Sequence, residues 1–309
     1  MNKMNAFLLI GILILITVYS CKKDNVLTPP PSPRLIFRFK FDSTQARLDN
    51  LGNPSALPAN HKAQCPRFNL MSAHYIEMAN DGNLLGQGSV LYNAPTTTAG
   101  GNSAIDFGQS VVVTQGQDFY SAPITGISPG TYKWLRVSLA YQNYDIAYKS
   151  ASIPGNGLGT GTVASFIGFN TYLTSYKIKT MTVTPSASTG GPGNHKQGYW
   201  GFETTVFSTT YFSDGQAPAG ATTVVNPMPG SPIPAGSCVV TGQFVNSGGL
   251  AQPLVITGHE NSDIIITVSL STNNSFEWVS HSGGNYYQPD AGDTVVDMGI
   301  RGLIPAYNH

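Results

Sequence analysis

Short segments in which apolar and polar residues alternate recur along this chain of 309 residues, and they restrict its fold more than any other feature. The clearest is RLIFRFKF at positions 34–41, where Leu and Phe alternate with Arg and Lys and Ile36 is the one exception. A period of two is typical of a strand buried on one face. Further strand candidates follow at 71–79, 89–93, 103–113, 118–124, 131–142, 163–173, 176–183, 198–207, 238–244, 253–257, 263–270, 275–278 and 294–298.

Turn-forming residues separate these candidates, and the chain contains 34 glycines and 21 prolines. Outside the first 20 residues, no segment keeps the 3.6-residue periodicity of a helix. We therefore expect an all-β fold, a β-sandwich with long turn-rich loops at 186–197 and 213–237. Strands of similar character on both sides of these loops predict a single domain over residues 34–309. A joint between two β-domains at 213–237 is the alternative.

The first 20 residues, MNKMNAFLLIGILILITVYS, have the three parts of an export signal. Lys3 supplies positive charge, an apolar run extends from Phe7 to Val18, and the small residue Ser20 precedes Cys21. The run has about a dozen residues, whereas a helix that spans a membrane needs about 20. We predict that residues 1–20 are a signal peptide; a short anchor that stays attached is the alternative.

Cys21 is predicted to carry a lipid. The stretch Val18–Cys21 resembles the lipobox of bacterial lipoproteins, because an aliphatic residue stands three positions before the cysteine and a small one directly before it. The resemblance, to a Bacteroidota-type lipoprotein, implies cleavage before Cys21 and acylation that anchors the protein in a membrane. Residues 21–33 continue with a proline-rich run that favours an extended linker. The expected location is the cell envelope, in the outer membrane, on its periplasmic or its surface side.

The composition excludes one class of partner. Only 10% of the residues are charged and the formal net charge is zero, whereas a typical soluble domain has about 25% charged residues. A protein that binds nucleic acid needs a basic surface. We therefore expect no nucleic-acid partner.

Two cysteines remain once Cys21 is lipidated. An even pair in an oxidising compartment is a typical disulfide, so a bridge between Cys65 and Cys238 is predicted. Both stand beside turn-forming residues, so a position at a strand edge is expected for either. Two unrelated buried thiols are the alternative.

Segment 60–78 is a candidate copper site because it combines His61, Met71 and His74. Sulfur with imidazole is a ligand set that suits copper. Its spacing follows no strict metal motif, and regular alternation along 71–79 would place His74 and Met78 on the face opposite Met71. A pair of core methionines with a partly exposed histidine is the alternative.

The segment QPDAGDTVVDMG is a candidate calcium site. It contains Asp290, Asp293 and Asp297, and oxygen-rich loops with glycine suit this ion. The alternative is that these residues begin turns and end strands. No cofactor is required by the sequence, and copper and calcium are considered only for these two groups.

No catalytic motif is present. The H-E-x-x-H pattern does not occur, and the G-x-S-x-G match at 126–130 is no nucleophile elbow, because it is a turn between two strand candidates and no helix pattern follows it. Glycoside hydrolysis would need two carboxylates that converge in space, and the candidates are scattered glutamates, at positions 77, 203, 260 and 277. We therefore expect no enzyme, and a glycan-active enzyme is the alternative.

Aromatic residues provide the strongest argument for binding, since the chain has 15 tyrosines and 14 phenylalanines. Tyr141 and Tyr144 cluster in AYQNYDIAYK, and Tyr286 and Tyr287 lie in a glycine-rich turn. Exposed aromatic rings beside Asn and Gln stack on sugars or contact proteins, so these four are candidate ligand-binding residues. Packing in the core is the alternative.

The order of several segments resembles the MbnP-like family of exported β-rich proteins, named for a copper-associated member. The segments are an opening strand at Leu35–Phe41, the turn Gly52–Pro54, MSAHYIEMA at 71–79, ISPGTYKWLRVSLAYQNYD at 127–145, and PLVITGHENSDIIITVSLS at 253–271. Ser43 and Thr44 stand where the family has Val-Gly. The resemblance implies a β-rich fold, export and copper handling.

Together these features predict a lipid-anchored envelope lipoprotein with a non-catalytic binding domain. The expected partners are a membrane, through Cys21, and a glycan or protein ligand. Copper binding and a glycan-active enzyme are the two alternatives.

Overall fold

The computed structural model describes residues 32–218, 233–234 and 236–308. The predicted signal peptide, the lipidation site Cys21 and the linker up to residue 31 lie outside the described residues. Strands make up 52% of the structure, and no helix of seven or more residues occurs in these ranges. The sheets pack as a sandwich, which confirms the predicted all-β fold class. Within the same ranges, no helix is long and apolar enough to span a membrane.

The strands are numbered along the described chain. The first eleven are β1 (Arg34–Asp42), β2 (His61–Gln64), β3 (Arg67–Ala79), β4 (Ser89–Asn93), β5 (Thr96–Thr97), β6 (Ala104–Asp106), β7 (Asp118–Pro123), β8 (Gly130–Tyr132), β9 (Trp134–Lys149), β10 (Leu158–Phe166) and β11 (Asn170–Leu173). The others are β12 (Tyr176–Lys177), β13 (Thr182–Val183), β14 (Gly193–Lys196), β15 (Tyr199–Val206), β16 (Thr209–Gln216), β17 (Cys238–Gln243), β18 (Leu254–Ile256), β19 (Ile264–Ser271), β20 (Phe276–Val279), β21 (Thr294–Met298) and β22 (Leu303–Asn308). Single-turn 3-10 helices occur at Phe107–Gln109, Ile124–Gly126, Ala187–Thr189 and Pro289–Ala291.

Strand β9, with 16 residues, organises a seven-stranded sheet. One edge of β9 pairs antiparallel with β3 from Trp134 to Asp145. The other edge pairs first with β17 and then with β10, and the sheet continues through β15 to β16. We call the part of the seven-stranded sheet around Trp134–Leu139 the closed half and the part around Tyr141–Lys149 the open half.

A second sheet, in the order β22-β19-β1-β7, covers one face of the closed half. Alternate residues of both sheets meet in a core from which solvent is excluded. Full burial of one such side chain contributes about 1.5–3 kcal/mol, so this core accounts for much of the stability. Its least exposed members include Leu35, Phe37, Phe39, Leu135, Val137, Leu139, Ile266 and Val268.

The open half is covered differently on its two faces. On one face, Tyr141 and Phe166 pack against Tyr176 and Ile178, which follow β11. On the other face, a three-stranded sheet in the order β2-β20-β21 packs over part of β9 and β10 and leaves a cleft. Strand β1 begins beside Pro123, and Phe41 near its end contacts the Phe68 ring.

Bulges in β3 change which side chains share a face. The pairing of β3 with β9 shifts at Ser72/Ala73 and again at Ala73/Tyr75. As a result, Met71 and Met78 both lie in the core between the two large sheets. The predicted opposition of these two methionines was wrong, because strict alternation does not survive a bulge.

The predicted disulfide is not formed, since Cys65 and Cys238 are both free. Cys238 pairs with Leu139 of β9, whereas Arg67, two residues after Cys65, pairs with Asp145. These positions on β9 are about 20 Å apart at the rise of a strand, and a disulfide requires Cα atoms within about 7 Å. Cys65 is exposed and accepts a hydrogen bond from the Asn274 N–H at 3.2 Å. Burial raises the pKa of the Cys238 thiol to about 12.

Two predicted turn-rich loops contain strands. The short strand β14 lies within 186–197, and β16 extends into 213–237. The segment 103–113 was predicted as one strand, but only Ala104–Asp106 forms one. Contacts group Ser32–His309 as one compact unit.

Candidate functional site

The cleft of the open half has a floor built by strand alternation. Residues directly opposite each other on neighbouring strands point to the same face. One row across β9, β10, β15 and β16 consists of Tyr144, Val163, Phe202 and Ser213. The next row consists of Gln142, Ser165, Trp200 and Gly215. By the same alternation, Tyr148 faces the cleft, whereas Tyr199 and Glu203 point to the other face.

Two aromatic rings of this floor lean across neighbouring strands because glycine makes room for them. A Cβ atom on Gly161 would lie 2.1 Å from Cζ of Phe202. A Cβ atom on Gly215 would lie 2.6 Å from Cζ2 of Trp200. Any other residue at these positions would displace the rings, so the glycines fix Phe202 and Trp200 along the sheet.

The remaining walls come from β20, β21 and the loop between them. The rings of Phe276 and Tyr287 are 5.4 Å apart and nearly perpendicular, as are those of Tyr148 and Phe202. Edge-to-face packing of this kind is favourable. With Trp200, these rings surround a cavity of about 410 Å³, which is within the usual size range of ligand sites.

Asp293 holds the loop that carries Tyr287. Its carboxylate accepts hydrogen bonds from the backbone N–H groups of His281, Ser282 and Gln288 at 2.7–3.0 Å, and from the Ser282 hydroxyl at 3.2 Å. Burial alone would raise the pKa of Asp293, but these hydrogen bonds lower it below its ordinary value. The Lys149 N–H also donates to the Tyr287 carbonyl at 2.8 Å, so the loop is joined to the end of β9.

The described lining of the cleft presents no free charge. Asp293 is the one charged side chain among the described lining residues, and four donors already occupy its carboxylate. Uncharged polar groups lie among the rings, on Ser213, Gln216 and Thr294. This arrangement suits a neutral ligand that offers an apolar face to the rings and hydroxyl groups to the polar side chains.

The four tyrosines predicted to bind a ligand have different environments. Tyr287 lines the cleft, but Tyr141 and Tyr144 are buried in separate clusters on opposite faces of β9. Tyr286 is 39% exposed, with the Lys149 ammonium 5.6 Å from its ring centroid. The expected exposure of Tyr141 and Tyr144 was wrong, because β9 continues through both residues and both faces of the sheet are covered there. Ligand binding by these two residues stays a prediction.

The residues that sequence reasoning missed are Trp200, Phe202 and Phe276. Trp200 and Phe202 stand two positions apart in GYWGFETTVF, so their rings share one face of a strand. This spacing was the available signal. No comparable signal indicated that Gly161 lies under the Phe202 ring, since the two residues belong to different strands.

The three residues of the candidate copper site have separate surroundings. His61 Nδ1 lies 3.0 Å from the Glu277 carboxylate, and Met71 is fully buried in the main core. His74 packs edge-on against Phe169, and burial lowers its pKa to about 4. Among the described residues, no group of three or more His, Cys, Asp or Glu is arranged to hold a metal ion. The copper site stays a prediction.

The candidate calcium ligands also have different partners. Asp290 accepts hydrogen bonds from the Ser150 hydroxyl at 2.6 Å and the Ala151 N–H at 2.9 Å. Asp297 forms an ion pair with Arg301 at 2.8 Å, whereas Asp293 holds the loop described above. The structure does not bring the three carboxylates together, and calcium binding stays a prediction.

The scattered glutamates stabilise four separate regions. Glu77 accepts from Gly86 and Gly88, Glu203 accepts from backbone groups of 179–181, and Glu260 accepts from Thr257. Glu277 is buried and paired with two guanidinium groups, of Arg47 and Arg301. None of the four lines the cleft.

Comparison of the chain with models of protein families, with curated proteins and with solved structures gives no match. The resemblance to the MbnP-like family stays a prediction. The proposal below therefore depends on the geometry of the cleft and on the sequence features that precede β1.

Proposed function

We propose that this chain is a lipid-anchored envelope lipoprotein whose aromatic cleft binds a neutral saccharide without catalysing a reaction on it. One observation carries the proposal. Trp200, Phe202, Tyr148 and Tyr287 surround a cavity of about 410 Å³, and Asp293, the one charged residue among the described lining residues, already accepts four hydrogen bonds.

The chemistry of the lining favours a sugar over other small ligands. The face of an aromatic ring is electron-rich and attracts the weakly positive C–H groups on one side of a pyranose ring. Ser213, Gln216 and Thr294 provide hydroxyl and amide groups for the sugar hydroxyls. A charged ligand would find no counter-charge among the described lining residues, and burying an unpaired charge is costly.

The carboxylates support binding rather than hydrolysis. Glycosidases use two carboxyl groups on either side of the bond that breaks, one of them with a raised pKa. Asp293 is the one carboxylate of the described lining, and its pKa is lowered. It therefore does not have the property of a general acid.

The binding test is a glycan array of neutral and charged glycans, followed by calorimetry on the full-length protein in detergent. We expect signals for neutral glycans and a loss of affinity of at least about tenfold in Trp200→Ala, since stacked aromatic residues contribute much of the affinity of such sites. Trp134→Ala in the closed half is the matched control and should bind normally. A blank array would overturn the saccharide proposal and point to a protein ligand.

The anchoring test is independent of the ligand. The lipobox-like stretch before Cys21 and the proline-rich run after it are the features that support anchoring. Cys21→Ser should abolish both acyl labelling and membrane retention. Unchanged membrane retention of this variant would contradict the proposal.

A further inference from the structure

Strand β16 forms one edge of the seven-stranded sheet. Among the described residues it pairs only with β15, along its whole length from Thr209 to Gln216 and without a shift of register. The outer side of such a strand presents backbone N–H and C=O groups to which a further strand can bind. The outer side of β16 is therefore a candidate surface for pairing with another chain.

Alternate residues of β16 direct their backbone groups to this outer side. Val206 and Thr209 flank a two-residue turn and therefore bond to each other. Beyond the other end of the strand, the Ala217 N–H donates to the Gly198 carbonyl at 2.8 Å, so the odd-numbered residues bond towards β15. The even-numbered residues point outward: Thr210, Phe212, Asp214 and Gln216. Within the described ranges, no hydrogen bond uses the backbone groups of these four residues.

The other edges of the two large sheets are protected against such pairing. Strand β7 ends in Pro123, and the Arg34 guanidinium donates to its Ser121 carbonyl at 2.8 Å. Strand β22 contains Pro305, whose carbonyl accepts a hydrogen bond from the Val245 N–H at 2.9 Å. Strand β4 has only five residues, and its pairing with β3 contains a register shift. Proline, short length, irregular pairing and coverage by another segment are the usual protections of an edge strand.

Strand β16 has none of these protections in the described structure. It has eight residues, TTYFSDGQ, with no proline, lysine or arginine. Its one charged side chain, Asp214, points to the face opposite the cleft. There it accepts hydrogen bonds from the Ser186 N–H and the Tyr199 hydroxyl, both at 2.7 Å, and from the Thr189 hydroxyl at 3.0 Å. The charge is thus engaged within the chain and does not oppose a neighbouring strand.

The sequence of β16 is complementary to itself in antiparallel pairing. Pairing centred on Phe212 places this residue opposite Phe212 of a second copy and places Asp214 opposite Thr210. Aromatic cross-strand pairs are favourable, whereas like charges directly opposite each other are not. This register joins the two half-buried Phe212 side chains and keeps the two Asp214 carboxylates apart. The other described edges are blocked, so β16 of a second copy is the strand that fits.

We infer that this chain forms a symmetric dimer in which β16 pairs antiparallel with β16 of a second copy. Such a contact uses the same surface of both chains and is therefore closed. Because directly opposite residues share a face of a sheet, the clefts of the two copies open on the same side of the combined sheet. The inference does not depend on saccharide binding, and a blank glycan array would leave it unchanged.

The first test is sedimentation of the full-length protein in detergent. Thr210→Pro removes an outward N–H, a change that an edge strand tolerates without losing its inner pairing. Thr210→Ser keeps the N–H and is the matched control. We expect a dimer for the wild type and for Thr210→Ser. Thr210→Pro should self-associate at least about tenfold more weakly, since each copy loses one hydrogen bond of the contact.

The second test is cross-linking with oxidised glutathione, in a Cys65→Ser background that removes the exposed thiol. Phe212→Cys should give a covalent dimer, because Cα atoms of directly opposite residues are about 5.5 Å apart and a disulfide allows about 7 Å. Thr205→Cys, which places an exposed thiol on β15, is the matched control. The two copies of β15 would be about 14 Å apart across the combined sheet, so this variant should stay monomeric.

Three results would overturn the inference. A wild-type protein that sediments as a monomer at every concentration would leave an extended peptide of another protein as the occupant of the edge. Self-association that persists unchanged in Thr210→Pro would place the contact on another surface. Equal cross-linking of Phe212→Cys and Thr205→Cys would exclude the proposed pairing of β16 with itself.

Discussion

The two halves of the seven-stranded sheet share β9 but are covered by sheets of different size. Over the closed half, the covering strands β1, β7, β19 and β22 have six to nine residues each. Over the open half, β2, β20 and β21 have four or five. The shorter strands do not cover the whole face of the open half. The cleft is the space above the uncovered part of that face.

The difference extends to the composition of β9 itself. Its first half contributes Leu135, Val137 and Leu139 to the main core and buries one polar side chain, Ser138, whereas its second half buries three, of Gln142, Asn143 and Asp145. Asn143 donates to the Ile178 carbonyl at 2.9 Å, and Asp145 accepts from the Thr162 hydroxyl at 2.6 Å. Buried polar groups need such partners. We therefore expect global stability to depend mainly on the closed half and ligand binding on the open half.

The largest effect should come from Phe37→Ala in the closed half. Phe37 is fully buried between the two large sheets, and removing a buried Phe side chain costs about 3–5 kcal/mol. Phe202→Ala, whose ring is partly exposed at the floor of the cleft, should cost less and should reduce binding. Urea unfolding of the two variants compares the halves, and equal losses would contradict the division.

A smaller effect is expected from Gly161→Ala. The added Cβ would meet the Phe202 ring, and overpacking of this kind costs about 1–3 kcal/mol. The displaced ring should also weaken oligosaccharide binding. Gly126→Ala is the matched control, because a Cβ there has open space; similar behaviour of both variants would show that Gly161 does not position Phe202.

The smallest effect should follow acidification, through Asp293. The folded-state pKa of Asp293 lies below its ordinary value, so its contribution to stability is present at neutral pH and is lost as the pH falls below about 4. Its loss should release the loop of Tyr287, at a local cost of about 0.5–1.5 kcal/mol. Hydrogen exchange of residues 281–288 measures this, with Asp293→Asn as the variant that should exchange faster at neutral pH. Protection in that variant equal to the wild type would exclude this role.

Much of the fold was predictable because strand patterns are local. The segments 89–93 and 294–298 form β4 and β21 with the predicted bounds, and β1 differs by one residue. The second half of β9 was missed because Gln142, Asn143 and Asp145 interrupt the apolar alternation. The second part of β16 was interpreted as a loop because Asp214 and Gly215 resemble a turn.

The candidate site was less predictable, and its residues show why. Tyr287 was predicted and lines the cleft, but Tyr148 approaches it only because the loop pairs with the end of β9. Trp200 and Phe202 were visible as an aromatic pair on one strand face. Their position over Gly215 and Gly161 depends on the registers of β15 with β16 and β10.

The sequence by itself determined that this chain forms half-buried strands separated by turns, because a side-chain period of two and the preferences of glycine and proline act between near neighbours. The tertiary structure alone decided which faces are closed and which are open. It separated Cys65 from Cys238, gave each glutamate its own partners, and gathered the rings from β9, β15, β20 and the loop of Tyr287 around one cavity. These outcomes depend on pairing between strands that are distant in the chain, and no local pattern encodes that register.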